Sequence, residues 1–254
     1  LDELGVEYVI GSEEATPHGA VETLEHARIY ADLFRANADR IDGILVILPN
    51  FGDELGVVQT LDMAKLDVPV MVQACNDELD KVDVHGRRDA FCGKISVCNN
   101  LYQYNIPFTD TALHTCDITS QVFREDLDRF ARVCRTVKGL TNARIGAIGA
   151  RPAAFQTVRY SEKILQGSGI TVVPVDLSEI FAAAGRFDNE AAQVKDKLSA
   201  IRAYGTIPSR IPDEQVVRQA KFSIAVEDWM AANECVASAV QCWTSMQENY
   251  GCAS

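Results

Sequence analysis

Gly43-Ile44-Leu45-Val46-Ile47-Leu48-Pro49-Asn50-Phe51-Gly52-Asp53-Glu54 is the stretch on which the fold turns. Five large apolar residues follow one another with no polar alternation, as in a strand covered on both faces of a parallel sheet. Pro49 and Gly52 then shape a turn, and Asp53 or Glu54 opens a helix that ends near Leu66, with its acids where a helix N-terminus favours them. Strand, short turn and helix are the first half of a right-handed crossover unit, so the remaining strands should lie parallel to this one.

The same rhythm recurs along the chain. Candidate strands are Val6–Ile10, Gly43–Leu48, Val68–Gln73, Arg144–Ile148 and Ile170–Pro174. Candidate helices are Val21–Asn37, with Thr16 as N-cap and Pro17 in the first turn, then Thr119–Lys138 and Tyr160–Gln166, each closing near a glycine. From Pro212 to about Asn249 the sequence reads as nearly unbroken helix. The expected fold is therefore α/β: a first Rossmann-like domain over residues 1–117, lacking its first strand, and a second over residues 118–254, cut short at its end. Leu1–Gly5 reads as the last turn of a helix, and the stop after Tyr250–Gly251 reads as an interruption.

Composition narrows the functions available. The 254 residues carry a formal net charge of −12, with 47% apolar and 24% charged residues. Nucleic acid and anionic membranes both require a cationic face, so neither is an expected partner. No apolar run approaches the roughly 20 residues that cross a bilayer, and no leader is visible, so a cytoplasmic protein is expected. The eight cysteines include no C-x-x-C pair and read as reduced, mostly buried thiols.

In open α/β sheets ligands gather at the carboxyl ends of strands. The loop Pro49–Glu54 offers an amide, an aromatic and a carboxylate (Asn50, Phe51, Glu54), which suit a polyol, although the same residues also make an ordinary strand-to-helix turn. Arg144–Pro152 looks like a dinucleotide loop only at first sight. Gly146 and Gly149 are three apart with no third glycine in register, and Pro152 removes an N–H where a phosphate would need one, so a nicotinamide cofactor is not expected. Arg151 remains as a residue to hold an anion or close a helix start. Within Ala239–Glu248, read as helical, Trp243 could stack on a sugar ring or serve as a core anchor, and Gln241 or Gln247 could bond sugar hydroxyls. Of His18, His26, His85 and His114, only His114 stands near a strand end, and none has metal-ligand spacing. No G-x-S-x-G elbow or P-loop occurs, which argues against hydrolase and kinase chemistry.

Taken in order, Ile47–Glu54, Phe91-Cys92-Gly93-Lys94 with Asn99-Asn100, Gly146–Pro152 and Gln241–Ser245 resemble the L-fucose/L-arabinose isomerase superfamily, particularly its fucose-isomerase-like bacterial branch. The resemblance covers essentially the whole chain. It implies an aldose–ketose isomerase acting on L-fucose, D-arabinose or a related sugar through an enediol. It also implies two Rossmann-like domains followed by a β-rich domain absent here, and a homo-oligomer, hexameric or built from trimers, whose sites are completed by neighbours. Manganese would be held by Glu, Asp and His residues beyond Ser254, leaving no catalytic or metal-ligating residue in this stretch. The residues carried over are substrate-shaping ones: Trp243 beside the site in the second domain, the Asn50–Glu54 loop reaching an adjacent subunit, and Arg87 and Arg88 on the same rim. His114 joins the substrate-binding candidates from its place near a strand end alone, where a structural role is the alternative. The alternative is a non-catalytic sugar-binding or regulatory module built from two such domains.

Overall fold

A computed structural model describes residues 1–252, which divide into two compact units, Leu1–Lys138 and a second that begins at Gly139. The boundary falls at the end of the long helix that the sequence reading set at the start of the second domain.

In the first unit the elements are α1 (Leu24–Ala36), β1 (Ile44–Leu48), α2 (Glu54–Ala64), β2 (Val70–Ala74), α3 (Ala90–Gln103), β3 (Thr109–Asp110) and α4 (Gln121–Leu140). The strands form a parallel sheet in the order β1-β2-β3, with Ile44 opposite Val70 and Leu48 opposite Ala74. Strand periodicity sends Val70, Val72 and Ala74 to one face, where they pack with Val58 and Leu61 of α2 and Val97 and Leu101 of α3. Met71 points to the other face, against Phe123, Leu127 and Phe130 of α4. Burial on both faces explains the continuous hydrophobicity of β2, whereas the edge strand β1 is half-buried and leaves Ile47 exposed. Each fully buried Val or Leu contributes about 1.5–3 kcal/mol. Asp53 caps α2 by accepting the Gly56 N–H at 2.9 Å.

In the second unit the elements are β4 (Arg144–Ile148), α5 (Glu162–Gly167), β5 (Thr171–Val175), α6 (Leu177–Gly185), α7 (Ala192–Tyr204), α8 (Asp213–Ala232) and β6 (Ala237–Val240). The parallel sheet has the order β5-β4-β6. The chain goes from β4 outward to β5, then crosses back to lay β6 on the other side of β4. Strand order thus reverses beside β4, between the loops that leave β4 and β6, which is the switch point where open α/β sheets have their ligand crevice. Ile148, Leu177, Ile180, Phe222 and Ala225 form the core beneath it, with Trp229 against them.

Three sequence expectations are corrected. Val6–Ile10 forms no strand: Tyr8 and Ile10 are 60% and 71% exposed, and apolar β-formers without a neighbouring strand gain nothing from extension. The first helix is capped by Thr23, whose side chain accepts from the His26 N–H, while Pro17–Gly19 forms a separate 3₁₀ turn preceded by Thr16. The tail is not one helix. It stops at Asn233, turns through a left-handed Glu234 and pairs with β4 as β6, so Trp243 lies in a loop rather than on a helix.

Candidate functional site

At the first unit's carboxyl edge, the β1 loop is held by the segment that precedes α3. Phe51 N–H donates to the Arg88 carbonyl at 2.7 Å, and the Arg88 guanidinium donates to Pro49 O at 3.2 Å and to Glu78 Oε1 at 2.9 Å. Asp77 Oδ1 accepts the N–H groups of Arg88 and Asp89 at 2.8 and 3.0 Å. Those contacts give Arg88 a clear role in shaping the loop. Gly93 lets the start of α3 approach: a Cβ there would lie 3.3 Å from Phe51 Cα.

The β3 side is held from beneath by Lys94, which is almost fully buried. Its ammonium donates to Thr111 Oγ1 at 2.7 Å and to the His114 carbonyl at 3.0 Å, and it pairs with Asp110. Above it the His114 ring lies 5.2 Å from the Phe91 ring. Asn50, Phe51 and His114 are therefore exposed side chains on one strand edge, whereas Glu54 is half-buried in the first turn of α2. The Asn50 amide donates to Phe51 O at 2.9 Å, so one of its two N–H donors is spent within the turn.

At the second unit's carboxyl edge, one side chain ties the two crevice loops together. Gln241 Oε1 accepts the Ala150 N–H at 2.8 Å, while its amide donates to Trp243 O at 2.9 Å. With both ends engaged, Gln241 positions the loops rather than meeting a sugar hydroxyl. Gly149, at φ +80°, makes the turn after β4, and its N–H donates to Val175 O at 2.9 Å. Phe155, at the far end of the same loop, sets its ring 5.0 Å from that of Trp243, which stays 54% exposed. The pair presents an apolar platform at the point where strand order reverses.

Gln241 as a bridge and Phe155 as a partner of Trp243 are the residues that sequence reasoning missed. The phenylalanine lies a few positions beyond the glycine motif that drew attention, so its distance along the chain hid it. Asp176, after β5, turns its carboxylate to Ser178 N–H and Oγ, and those bonds hold it below its ordinary titration range. A broad depression of about 760 Å³ lies elsewhere, in the α7–α8 connection between Arg202 and Asp213, and touches neither the aromatic pair nor the glycine turn.

Among the described residues, no three His, Cys, Asp or Glu side chains gather to hold a metal ion. The resemblance assigns manganese to ligands beyond Ser254, and neither strand edge offers a ligand set for it among the described residues. No helix among these residues is long and apolar enough to cross a membrane.

Two α/β units, each with a parallel sheet and with polar and aromatic side chains at the carboxyl ends of its strands, define an open-sheet protein, the class in which ligands gather at those ends. The chain belongs to the fucose/sulfoquinovose isomerase family: residues 1–141 match the family's N-terminal domain. It is 25% identical over 238 residues to sulfoquinovose isomerases of Priestia aryabhattai and Priestia megaterium (strain ATCC 12872 / QMB1551). Each alignment covers 93% of this chain, which spans about half (51%) of each relative. Membership in a sugar-isomerase family agrees with the order of motifs read from the sequence.

Proposed function

We propose that this chain belongs to an aldose–ketose isomerase and receives the sugar in the switch-point crevice of its second unit. The observation that carries the reading is exposed Trp243 packed on half-buried Phe155, fixed by Gln241 at the strand-order reversal of a sugar-isomerase-family fold. An aromatic face matches the C–H side of a pyranose, while the loop backbones can meet its hydroxyls. The substrate class is L-fucose, D-arabinose or a related aldose, including the sulfonated sugar named for the relatives. Asn50, Phe51, Glu54 and His114 at the first unit's edge are substrate-shaping residues in this reading.

Interconversion of an aldose and its ketose moves a proton between C2 and C1 through an enediol. The side chains described here bind and orient; the proton-transfer carboxylates and a divalent metal such as manganese are assigned to residues other than these. The assembly is a cytoplasmic homo-oligomer, trimer-based or hexameric, whose sites draw on neighbouring copies.

The test is to incubate the full-length protein with these aldoses in D2O, with and without manganese, and to follow ketose formation and deuterium at C1 of the ketose by NMR. Ketose with solvent deuterium supports the reading. Sugar binding with neither ketose nor deuterium points to a non-catalytic binding module, and absence of binding removes the crevice as a sugar site.

A further inference from the structure

Arg151 stands on the loop that joins the glycine turn to the aromatic platform, and nothing in the fold uses most of its charge. Its Nη1 donates to the carbonyls of Pro152 and Ala153 at 2.9 and 3.2 Å. Those bonds hold the guanidinium against its own loop and leave Nε and Nη2 without a protein acceptor among the described residues. No carboxylate pairs with it there either.

The loop is anchored on both sides of Arg151. Ala150 is bonded to Gln241, and Phe155 packs on Trp243. The surrounding sequence is also unusual for this chain. From Gly149 to Ser161 there is no Asp or Glu, although the chain as a whole carries 36 of them against 24 Lys and Arg. The segment 241–247, which carries Trp243, has none. Asp176, the carboxylate that follows β5, lies on the opposite side of β4 from β6 and is bonded to Ser178. The two stretches thus hold Arg151 and Arg159 and no acid, in a protein of net charge −12.

We infer that Arg151 determines specificity by binding an anionic substituent of the sugar, a sulfonate, phosphate or carboxylate, while Trp243 and Phe155 cover the ring. Three features of a guanidinium suit it to that task. It stays charged at every working pH, its planar fork matches two oxygens of such a group, and it is weakly hydrated. The group it would hold sits at the end of the sugar away from C1 and C2, so Arg151 acts on selection and leaves the proton transfer to others. This inference rests on the placement of the sugar in the second unit's crevice.

Binding to the full-length protein, measured by calorimetry, compares 6-sulfonated, 6-phosphorylated and 6-carboxylated glucose with neutral 6-deoxyglucose and with inorganic sulfate alone. Wild type is expected to prefer at least one anionic sugar over the neutral one, with that preference falling as salt rises. Arg151→Gln should weaken the preferred anionic sugar about tenfold or more while leaving neutral-sugar affinity and melting temperature unchanged, and Arg151→Lys should retain part of the preference. The strongest of the three anions identifies the natural substituent. Equal loss for neutral and anionic sugars in Arg151→Gln would overturn the inference while leaving the crevice as the sugar site. So would an unchanged preference, or sulfate alone binding as tightly as the sugars. Failure of every sugar to bind a folded protein would overturn the crevice itself, and this inference with it.

Discussion

Replacing Gly149 by alanine would place a methyl carbon 2.5 Å from Gln241 Oε1 and 3.3 Å from Leu177 Cβ, in a residue held at φ +80°. The left-handed backbone costs a side-chain-bearing residue about 1–2 kcal/mol, and the clash adds to it. Gly149→Ala is therefore expected to lower unfolding free energy in urea by about 2–4 kcal/mol. Gly185→Ala is the control, because a Cβ there meets nothing within 4 Å, and it should change little. Equal stability for both variants would refute the strain argument. Tyr250 makes a second prediction at this scale. Its ring stacks on Phe181 at 4.9 Å, its hydroxyl donates to the Arg218 carbonyl at 3.1 Å, and burial pushes the phenol up to about 12. A folded-state value above the ordinary 10 means that the neutral phenol stabilises the fold fully below pH 10 and that this contribution is lost as pH climbs through 12. The buried thiols of Cys116, Cys134 and Cys252 and the half-buried thiol of Cys98 are raised by desolvation and act in the same direction from about pH 9 upward. Tyr250→Phe should flatten the alkaline loss of stability between pH 10 and 12, measured by urea unfolding across that range; an unchanged slope would count against it.

Lys94 shows how an element carries a site that its own sequence does not announce. It lies on α3, whose Gly93, Ser96, Asn99 and Asn100 are poor helix formers, and the sequence reading named motifs there without recognising a helix. Packing decides the matter: Ala90, Val97 and Leu101 are buried against the sheet, and Gly93 admits the Phe51 loop. β1, β2, β4 and β5 were legible because a continuous apolar run has few other uses. β3, two residues long, and β6, made of Ala-Ser-Ala-Val, carry no such signal, and their existence depends on neighbouring strands. The candidate site was legible to the same degree. The loops after β1 and β4 stood out, whereas the Gln241 bridge and the Phe155–Trp243 contact join residues far apart in sequence. Because Lys94 ties α3 to the β3 loop, Lys94→Met should cost about 1–3 kcal/mol, as hydrogen bonds to Thr111 and the His114 carbonyl are lost. Half-exposed Asp110 can rehydrate, which keeps the loss below that of a buried pair. Amide exchange should accelerate at residues 111–114 well beyond its increase in α2, and a uniform increase across the unit would deny Lys94 a local role.

Each unit has a parallel sheet of its own and separate buried clusters, with Val72, Leu101 and Phe123 in the first and Ile148, Ile180 and Phe222 in the second. Such independence predicts that residues 1–140 and 141–254, expressed separately, each unfold in one cooperative thermal transition. The division also separates the two candidate edges. Asn50, Phe51 and His114 belong to the first piece, and Trp243, Phe155 and Arg151 to the second. If the ring of the sugar rests on the aromatic pair, the second piece should retain most of the sugar affinity of the whole chain, because Gln241 fixes both loops from within that unit. Calorimetric titration of the two pieces and the whole chain with the same sugar measures this. Should the second piece fold cooperatively yet bind no sugar that the whole chain binds, the aromatic pair would be insufficient. The first unit's Asn50 and Phe51 would then have to supply the missing contacts, and the weight of recognition would shift from the reversal of strand order to the loop after β1.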